Sequence, residues 1–255
     1  MKATIIQTDL RWEDINVNLS HISSLLSLAG SDTELVVLPE MFTTAFSMDP
    51  AHLAETMEGP TVLWMKEEAL SGGFALCGSV IIREDDKFFN RMLFITPLGE
   101  VTVYDKRHLH SMSGEHTVYS RGKERIIRSY REFNFNLQVC YDLRFPVWSR
   151  NRGDSDVIIY SANWPVVRSH VWKTLLVARA IENQCYVIGV NRVGTTPDGT
   201  SYSGDSVIIS PKGETLASLE PFAEGVVSAE LSREALDRYR ADMPVWRDAD
   251  QFTLL

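Results

Sequence analysis

The chain has 255 residues, and its composition of 44% hydrophobic and 23% charged residues is typical of a globular protein. Its formal net charge of −9 argues against a nucleic-acid partner or an anionic membrane surface, because both carry negative charge themselves. No segment approaches the ~18 consecutive apolar residues of a membrane span, so no membrane partner is expected.

The predicted elements are short apolar strands and helices whose hydrophobic residues recur three and four positions apart. In the first half of the chain they are a strand at Ala3–Thr8, a helix at about Asn16–Ala29, a strand at Leu35–Leu38, a helix at about Thr61–Leu70, and strands at Phe74–Ile82, Phe88–Thr96 and Val101–Tyr104. In the second half they are strands at about Arg125–Ser129, Phe133–Val139 and Val157–Tyr160, a helix at about Ser169–Gln184, strands at Cys185–Asn191, Ser206–Ser210, Thr215–Leu219 and Val226–Glu230, and a short helix near Arg233–Tyr239.

The segments Phe94–Val101 and Ile208–Thr215 share a layout in which a proline and a glycine separate two strands. In each, the proline and glycine predict the turn of a hairpin. Two similar halves favour two β-sheets packed face to face with helices outside, over the alternative of one doubly wound parallel sheet. No linker-like composition interrupts the chain, so we expect a single α/β domain over residues 1–255, with a C-terminal tail from about residue 241.

Cys140 stands where an apolar strand gives way to polar residues and then to Pro146. A nucleophile is expected there, because a rigid strand fixes it while the turn beyond opens it to a substrate. The alternative is a small buried hydrophobe, which is a common role of free cysteine. With Cys77 and Cys185 it makes an odd number without C-x-x-C spacing, which predicts free thiols and a reducing, cytoplasmic location.

Two further candidates also follow predicted strands. Glu40 comes directly after Leu35–Pro39, where a carboxylate is placed to accept a proton. Lys106 closes the run that begins at Val101, where an ammonium group would steady negative charge on a substrate oxygen. Glu115, in the following loop, would orient the lysine or the nucleophile. Taken alone, each of these residues is more often an ordinary surface side chain.

Arg144, just after the cysteine, would either clamp a substrate carboxylate in bidentate fashion or form an ion pair with Asp142 or Asp156. Three aromatic residues close in sequence to the candidates are predicted to wall a small pocket, with core packing as the alternative: Phe42, Tyr141 and Trp164.

Metal and nucleotide chemistry find little support. His108, His110 and His116 cluster around Glu115 and suggest a zinc hydrolase, but their spacing matches no H-E-x-x-H pattern. No phosphate-binding G-x-x-x-x-G-K-[ST] or dinucleotide-binding G-x-G-x-x-G occurs, and Gly204–Ser206 is not a nucleophile elbow. We therefore expect no metal and no nucleotide cofactor.

In chain order, Leu38–Phe42, Tyr104–Leu109 and Val139–Pro146 resemble the Glu, Lys and Cys motifs of the nitrilase superfamily of carbon–nitrogen hydrolases. The resemblance continues through three further segments, so it extends over nearly the whole chain: Ala178–Gln184, Asn191–Arg192 and Gly204–Ser206. Within the superfamily, the chain is most similar to the omega-amidase branch, on the segments Cys140–Asn151 and Tyr160–Pro165.

The resemblance implies a four-layer α-β-β-α sandwich of the nitrilase type, a homodimer, and catalysis without metal or organic cofactor. It implies that Glu40 takes the proton of Cys140 and that the thiolate attacks an amide carbon. Lys106 and the backbone N–H of Tyr141 would hold the resulting oxyanion, and Glu115 would match a second glutamate beside the lysine.

The implied substrates are small molecules, the terminal amides of 2-oxo acids such as 2-oxoglutaramate and 2-oxosuccinamate, hydrolysed through a cysteine thioester. Two alternatives stay open at the level of sequence. One is an N-carbamoyl-amine or nitrile hydrolase with the same Glu-Lys-Cys set. The other is a non-catalytic binding module of the same fold.

Overall fold

The computed structural model of the protein describes residues 1–253. Within that range the strands are β1 Lys2–Gln7, β2 Leu35–Val37, β3 Ala75–Glu84, β4 Lys87–Ile95, β5 Val101–Asp105, β6 Ile127–Tyr130, β7 Phe133–Val139, β8 Val157–Ala162, β9 Tyr186–Asn191, β10 Val193–Thr195, β11 Ser201–Ser203, β12 Val207–Ile209, β13 Thr215–Ser218 and β14 Gly225–Glu230. The α-helices are α1 Ile15–Leu26, α2 Pro50–Leu53, α3 Pro60–Gly72, α4 Glu115–Val118, α5 Pro146–Ser149, α6 Ser169–Asn183 and α7 Arg233–Asp242. Every strand and helix expected from the sequence is present, with small shifts at the ends.

The long strands form two six-stranded sheets, in the orders β14-β1-β2-β3-β4-β5 and β13-β12-β9-β8-β7-β6. Three neighbouring strands are parallel in each sheet, β1-β2-β3 in the first and β7-β8-β9 in the second. The two predicted hairpins are confirmed as the antiparallel pairs β4–β5 and β12–β13. Their turns contain Gly99 at φ 79° and Gly213 at φ 85°, left-handed conformations that glycine adopts without steric cost.

The two sheets pack face to face through alternate residues of their strands. Ile5 and Val37 of the first sheet share one buried cluster with Leu137 and Ile159 of the second. The outer face of the first sheet is covered by α1 and α3, and that of the second by α6. Burial of each large apolar side chain contributes about 1.5–3 kcal/mol, which is why both outer faces need a helix. The predicted four-layer α-β-β-α arrangement is confirmed.

Local signals in the sequence fix where the helices begin and end. The Asp14 side chain accepts a hydrogen bond from the Val17 backbone N–H and caps α1. Pro60 occupies the first turn of α3, and Gly73 ends that helix in a left-handed conformation. Within residues 1–253, every helix is too short or too polar to cross a bilayer.

The carboxyl ends of β2, β5, β7 and β8 meet at one end of the sandwich. The Ser161 hydroxyl of β8 donates to the backbone carbonyl of Leu38 just beyond β2 at 2.8 Å, which joins the two sheets there. The short hairpin β10–β11, with its turn at residues 196–200, lies over the same end. Ligand crevices of α/β folds open at such strand ends, so this end of the molecule is where a site is expected.

Candidate active site

Cys140 begins a 3-10 helix that spans Cys140–Arg144 directly after β7. Its φ of 44° is left-handed, a conformation that costs a non-glycine residue roughly 1–3 kcal/mol and is typical of functional sites. The half-buried thiol donates weakly to the backbone carbonyl of Asn163, with an Sγ–O distance of 3.9 Å. The backbone N–H of Tyr141 lies in the first turn, where N–H groups have no partner within the helix. The strand end therefore presents a thiol beside an N–H donor.

The Lys106 ammonium group lies between two carboxylates. Its Nζ donates to Oε1 of Glu40 at 2.8 Å and to the two carboxylate oxygens of Glu115 at 2.9 and 3.0 Å. All three side chains are buried, with an exposed fraction of 1% for Lys106 and 0% for each glutamate. Buried charges are tolerated when each has a close partner of opposite sign, and here one cation serves two anions.

Two asparagines hold Glu40 in place. The Asn90 side-chain amide donates to Oε1 of Glu40 at 2.7 Å, and the Asn163 backbone N–H donates to Oε2 at 2.8 Å. The Asn163 side chain also donates to the Glu40 backbone carbonyl at 2.6 Å. Both carboxylate oxygens are thus fixed by donors from β4 and from the end of β8. The sequence analysis did not assign either asparagine to the site.

The charges of the site are set by burial and by neighbouring groups. Burial opposes the charge on Lys106, but Glu115 and Glu40 outweigh it, so the pKa of Lys106 lies well above its usual value. Burial also raises the pKa of Glu115, against the attraction of Lys106. Burial, with the negative charge of Glu40, raises the pKa of the Cys140 thiol well above its usual value, while Lys106 lowers it. The resting site therefore holds a charged lysine and a neutral thiol.

The buried Asp142 ties the cysteine turn to the segment that follows β5. One carboxylate oxygen accepts from the Val139 backbone N–H at 2.9 Å and from the Tyr104 hydroxyl at 2.7 Å. The other accepts from the His108 backbone N–H at 2.9 Å and lies 2.7 Å from His108 Nδ1. Because the lysine and the cysteine lie in these two segments, this carboxylate fixes one relative to the other.

A cavity of about 330 Å³ opens above these groups. Its bottom, called here the polar floor, consists of Glu40, Lys106 and Cys140. One side, called here the arginine wall, consists of Arg144, Trp164 and Arg168. The remaining lining residues come from several loops: Trp12, Phe46, Met48, His110, Ser113, Tyr141, Asn163, Pro165, Thr196, Asp198, Thr200 and Tyr202. The structure thus brings all three sequence-predicted catalytic candidates to one cavity.

Arg144 faces this cavity and stacks on Trp164, with its Cζ 5.0 Å from the ring centroid. No carboxylate within residues 1–253 approaches its guanidinium group to 4.0 Å. Of its two predicted roles, the ion pair with Asp142 or Asp156 is therefore wrong. Asp142 is occupied by the contacts just described, and Asp156 pairs with two arginines of α7 at 2.8 and 2.7 Å.

Phe42 does not line the cavity, contrary to the prediction from sequence. It is fully buried in the core under the first sheet, with its ring 5.9 Å from that of Trp64. The backbone after Glu40 passes through left-handed residues at Met41 (φ 43°) and Ala45 (φ 59°). This path directs Phe42 inward and brings Phe46 to the cavity. The other two predicted wall residues, Tyr141 and Trp164, do line it.

The turn between β10 and β11 was also missed. Thr196, Asp198 and Thr200 of this turn line the cavity, and Tyr202 follows in β11. The signal was present in the sequence as Thr-Pro-Asp-Gly-Thr, a combination that favours a tight turn. The strands on either side have three residues each, too few to show the alternation of apolar and polar residues that identifies a strand.

His108 and His110 each contact an aromatic ring near the cysteine turn. The ring of His108 stacks on Phe145 at 3.7 Å and pairs with Asp142, while His110 lies edge-on to Tyr141 at 4.9 Å. Among residues 1–253, no three His, Cys, Asp or Glu side chains are grouped so as to hold a metal ion. Burial, followed by the positive charge of Arg168 and Lys106, lowers the pKa of His110.

Comparison with known proteins gives consistent matches over the whole length. The family model of carbon–nitrogen hydrolases matches residues 2–241. The chain is 45% identical to "Omega-amidase YafV" of Yersinia enterocolitica, covering 100% of this chain and 99% of the relative. It is 32% identical to a 2-oxoglutaramate amidase of Bacillus subtilis, covering 97% of this chain and 98% of the relative. Among solved structures, the chain is similar to XC1258 from Xanthomonas campestris, which is described as a CN-hydrolase superfamily protein with an arsenic adduct in the active site. The two superpose with a TM-score of 0.97 at 41% identity, covering 100% of this chain and 99% of that one.

Proposed function

Since this chain belongs to the carbon–nitrogen hydrolase family, we propose that it is an omega-amidase, which hydrolyses the terminal amide of small 2-oxo acids. Its substrates would be molecules such as 2-oxoglutaramate and 2-oxosuccinamate, and its products the dicarboxylate and ammonia. The relatives named for this activity match the chain over nearly its full length, which supports the substrate class. The observation that carries the proposal is the Lys106 ammonium group held between Glu40 and Glu115 beside the Cys140 thiol, at the bottom of a cavity.

In the first half of the proposed reaction, Glu40 accepts the proton of Cys140 as the sulfur attacks the amide carbon. This proton transfer is needed because the thiol is neutral at rest. The amide oxygen gains negative charge, which the Lys106 ammonium group and the Tyr141 backbone N–H stabilise. Removal of one such donor typically lowers kcat by about 10²–10³-fold.

The second half releases the product. Glu40 returns its proton to the leaving nitrogen, so that the carbon–nitrogen bond breaks, ammonia departs and a thioester to Cys140 remains. Glu40 then takes a proton from water, whose oxygen attacks the thioester carbon. When the carbon–sulfur bond breaks, Glu40 returns this proton to the departing sulfur, which frees the acid and restores the thiol. Glu115 supports both halves by keeping Lys106 charged and in position between the two carboxylates.

At the other end of the substrate, we assign the carboxylate to Arg144. Its guanidinium group faces the cavity, lies over the Trp164 ring and has no carboxylate partner within residues 1–253. A planar guanidinium group matches the two oxygens of a carboxylate in bidentate geometry.

A panel of substrates tests the proposed function. Ammonia release should have its highest kcat/KM with 2-oxoglutaramate or 2-oxosuccinamate. A higher kcat/KM with an N-carbamoyl amino acid or a simple nitrile would mean that the polar floor catalyses another reaction of the family. No hydrolysis of any member of the panel would point instead to a binding module.

Three further features are part of the proposal. We expect one catalytic domain formed by the whole chain, a homodimer, and a cytoplasmic location. The free thiols of Cys77, Cys140 and Cys185 support a reducing compartment. Exposed apolar side chains after α7, at Met243 and Trp246, support association with a second copy. Sedimentation equilibrium of the purified protein would give its oligomeric state.

A further inference from the structure

The arginine wall carries more positive charge than one substrate carboxylate balances. Arg144 and Arg168 both line the cavity, and both side chains are half-buried. Within the described chain, neither guanidinium group has a carboxylate within 4.0 Å or a side-chain hydrogen bond. Lys106 differs, because its charge is already matched by Glu40 and Glu115. The second guanidinium group therefore lacks a partner even after the substrate carboxylate binds to the first.

Trp164 positions both arginines. Its ring carries the Arg144 guanidinium group on one face, at 5.0 Å, and its indole N–H donates to the Arg168 backbone carbonyl at 2.9 Å. The ring itself is almost fully buried. The Arg168 backbone is thus fixed beside the residue that supports Arg144, and both arginines line the same cavity.

Asp198 also lines the cavity, and its single carboxylate balances at most one of the two guanidinium charges. The carboxylate of Asp198 accepts from the Thr196 hydroxyl at 2.6 Å and from the Thr200 backbone N–H at 3.1 Å, so it is used within its own turn. The pKa of His110, which also lines the cavity, is lowered first by burial and then by the positive charge of Arg168. Outside the polar floor, two guanidinium groups therefore line the cavity with a single carboxylate, that of Asp198.

We propose that Arg168 is the residue that selects 2-oxo acids, by donating to the 2-oxo oxygen of the substrate while Arg144 holds the adjacent carboxylate. This proposal rests on the proposed function. A carboxylate oxygen and a neighbouring 2-oxo oxygen form two adjacent acceptors, which suit the N–H groups of two guanidinium groups that line one cavity. The ammonium group of a 2-amino acid, such as glutamine, would occupy the same position as a third positive charge and be repelled.

The test uses three amides that differ only at carbon 2. They are 2-oxoglutaramate, glutaramate, which has no substituent there, and L-glutamine, which has an ammonium group. The readout is kcat/KM for ammonia release by the wild-type protein, Arg168→Gln and Arg168→Lys. Arg83→Gln removes one charge from an exposed arginine outside the cavity and serves as the matched control. The alkylation rate of Cys140 reports whether the polar floor is intact in each variant.

The wild-type protein and the Arg83→Gln control should prefer 2-oxoglutaramate over glutaramate by at least roughly tenfold and reject glutamine. A hydrogen bond to a charged group corresponds to roughly 10–100-fold, so Arg168→Gln should reduce this preference to within about threefold and raise the relative rate on glutamine. Arg168→Lys keeps the charge but not the planar donors. It should still reject glutamine while losing much of the preference for the 2-oxo group.

The outcomes separate the two levels of the proposal. If the wild-type protein hydrolyses none of the three amides, the proposed function fails. A second outcome is that the wild-type protein prefers 2-oxoglutaramate and that Arg168→Gln keeps the same ratio of kcat/KM for 2-oxoglutaramate to kcat/KM for glutaramate, whatever its absolute rate. In that case the role of Arg168 is overturned and the proposed function stands. If Arg168→Gln does not fold, Arg168→Lys decides, and an unchanged ratio in that variant overturns the inference.

Discussion

The polar floor and the arginine wall of the cavity are both charged, but their charges are satisfied in opposite ways. On the floor, Lys106 is bonded to Glu40 and Glu115, and Glu40 is also held by two asparagines. On the wall, Arg144 rests on an aromatic ring and Arg168 is held through its backbone. The floor is complete before a ligand arrives, whereas the wall has unused donors.

This difference separates catalysis from recognition. Donors that are fixed in advance stabilise charge that develops in the transition state without reorganising. Donors without protein partners gain most from a ligand that brings its own negative charge. Changes on the floor should therefore act on kcat, and changes on the wall on KM and on the choice of substrate. Four substitutions test this contrast, from the largest expected effect to the smallest.

Cys140→Ala should reduce kcat for 2-oxoglutaramate by at least about 10⁴-fold, because loss of a nucleophile removes the covalent route altogether. The fold should be unaffected, since the side chain is small and half-buried. Ammonia release measures the first effect and thermal unfolding by circular dichroism the second. Cys77→Ala is the control for cysteine loss, and its kcat should stay within a few-fold of the wild-type value.

Glu40→Gln should reduce kcat by about 10²–10⁴-fold, the usual contribution of a general base. The same variant should move the alkylation profile of Cys140 to lower pH. The negative charge of Glu40 raises the pKa of this thiol, so its removal lets the thiolate form at lower pH. Iodoacetamide labelling across a pH series measures the shift. A profile that moves to higher pH, or does not move, would contradict this electrostatic description of the floor.

Arg144→Gln should raise KM for 2-oxoglutaramate by roughly 10–100-fold with little change in kcat, because a charge-assisted contact to the substrate carboxylate is lost. Steady-state kinetics separates the two constants. The neutral amide butyramide, which has no carboxylate, supplies the comparison, and its kcat/KM should be almost unaffected. Equal losses on both amides would mean that Arg144 supports the floor and not the substrate carboxylate.

Asp198→Ala should have the smallest effect, a few-fold rise in KM. The aspartate accepts two hydrogen bonds within the turn at residues 196–200, each worth about 0.5–1.5 kcal/mol. The change in KM is measured with 2-oxoglutaramate. A change in kcat larger than that of Arg144→Gln would show that this turn takes part in the chemistry.

How much the sequence could predict differs between the same two regions. Glu40, Lys106 and Cys140 each follow directly after an apolar strand, so hydrophobic pattern places them at strand ends, and the motif resemblance joins them. Which strand ends meet depends on how the two sheets pack, and this cannot be inferred from the hydrophobic pattern. Asn90 is an example. It lies inside β4, and only tertiary structure reveals that its side chain reaches Glu40.

The wall was predicted in part: sequence reasoning assigned Arg144 and Trp164 to the site but not Arg168. Arg168 lies in the 3-10 turn Val166–Arg168 before α6, where no periodic pattern distinguishes it from a surface residue. Phe42 was assigned to the pocket from its closeness to Glu40 in sequence. The left-handed backbone at Met41 and Ala45 instead turns Phe42 into the core. Such conformations cannot be predicted from the spacing of hydrophobic residues.

The most direct test of the central claim is the relation between activity and modification of Cys140 in the wild-type protein. The protein is treated with limiting iodoacetamide, and residual hydrolysis of 2-oxoglutaramate is plotted against the labelled fraction of each cysteine, measured by peptide mass spectrometry. Activity should fall linearly to zero as Cys140 becomes fully labelled, while the buried Cys77 and Cys185 remain unmodified. Substantial hydrolysis by protein whose Cys140 is completely labelled would contradict the account.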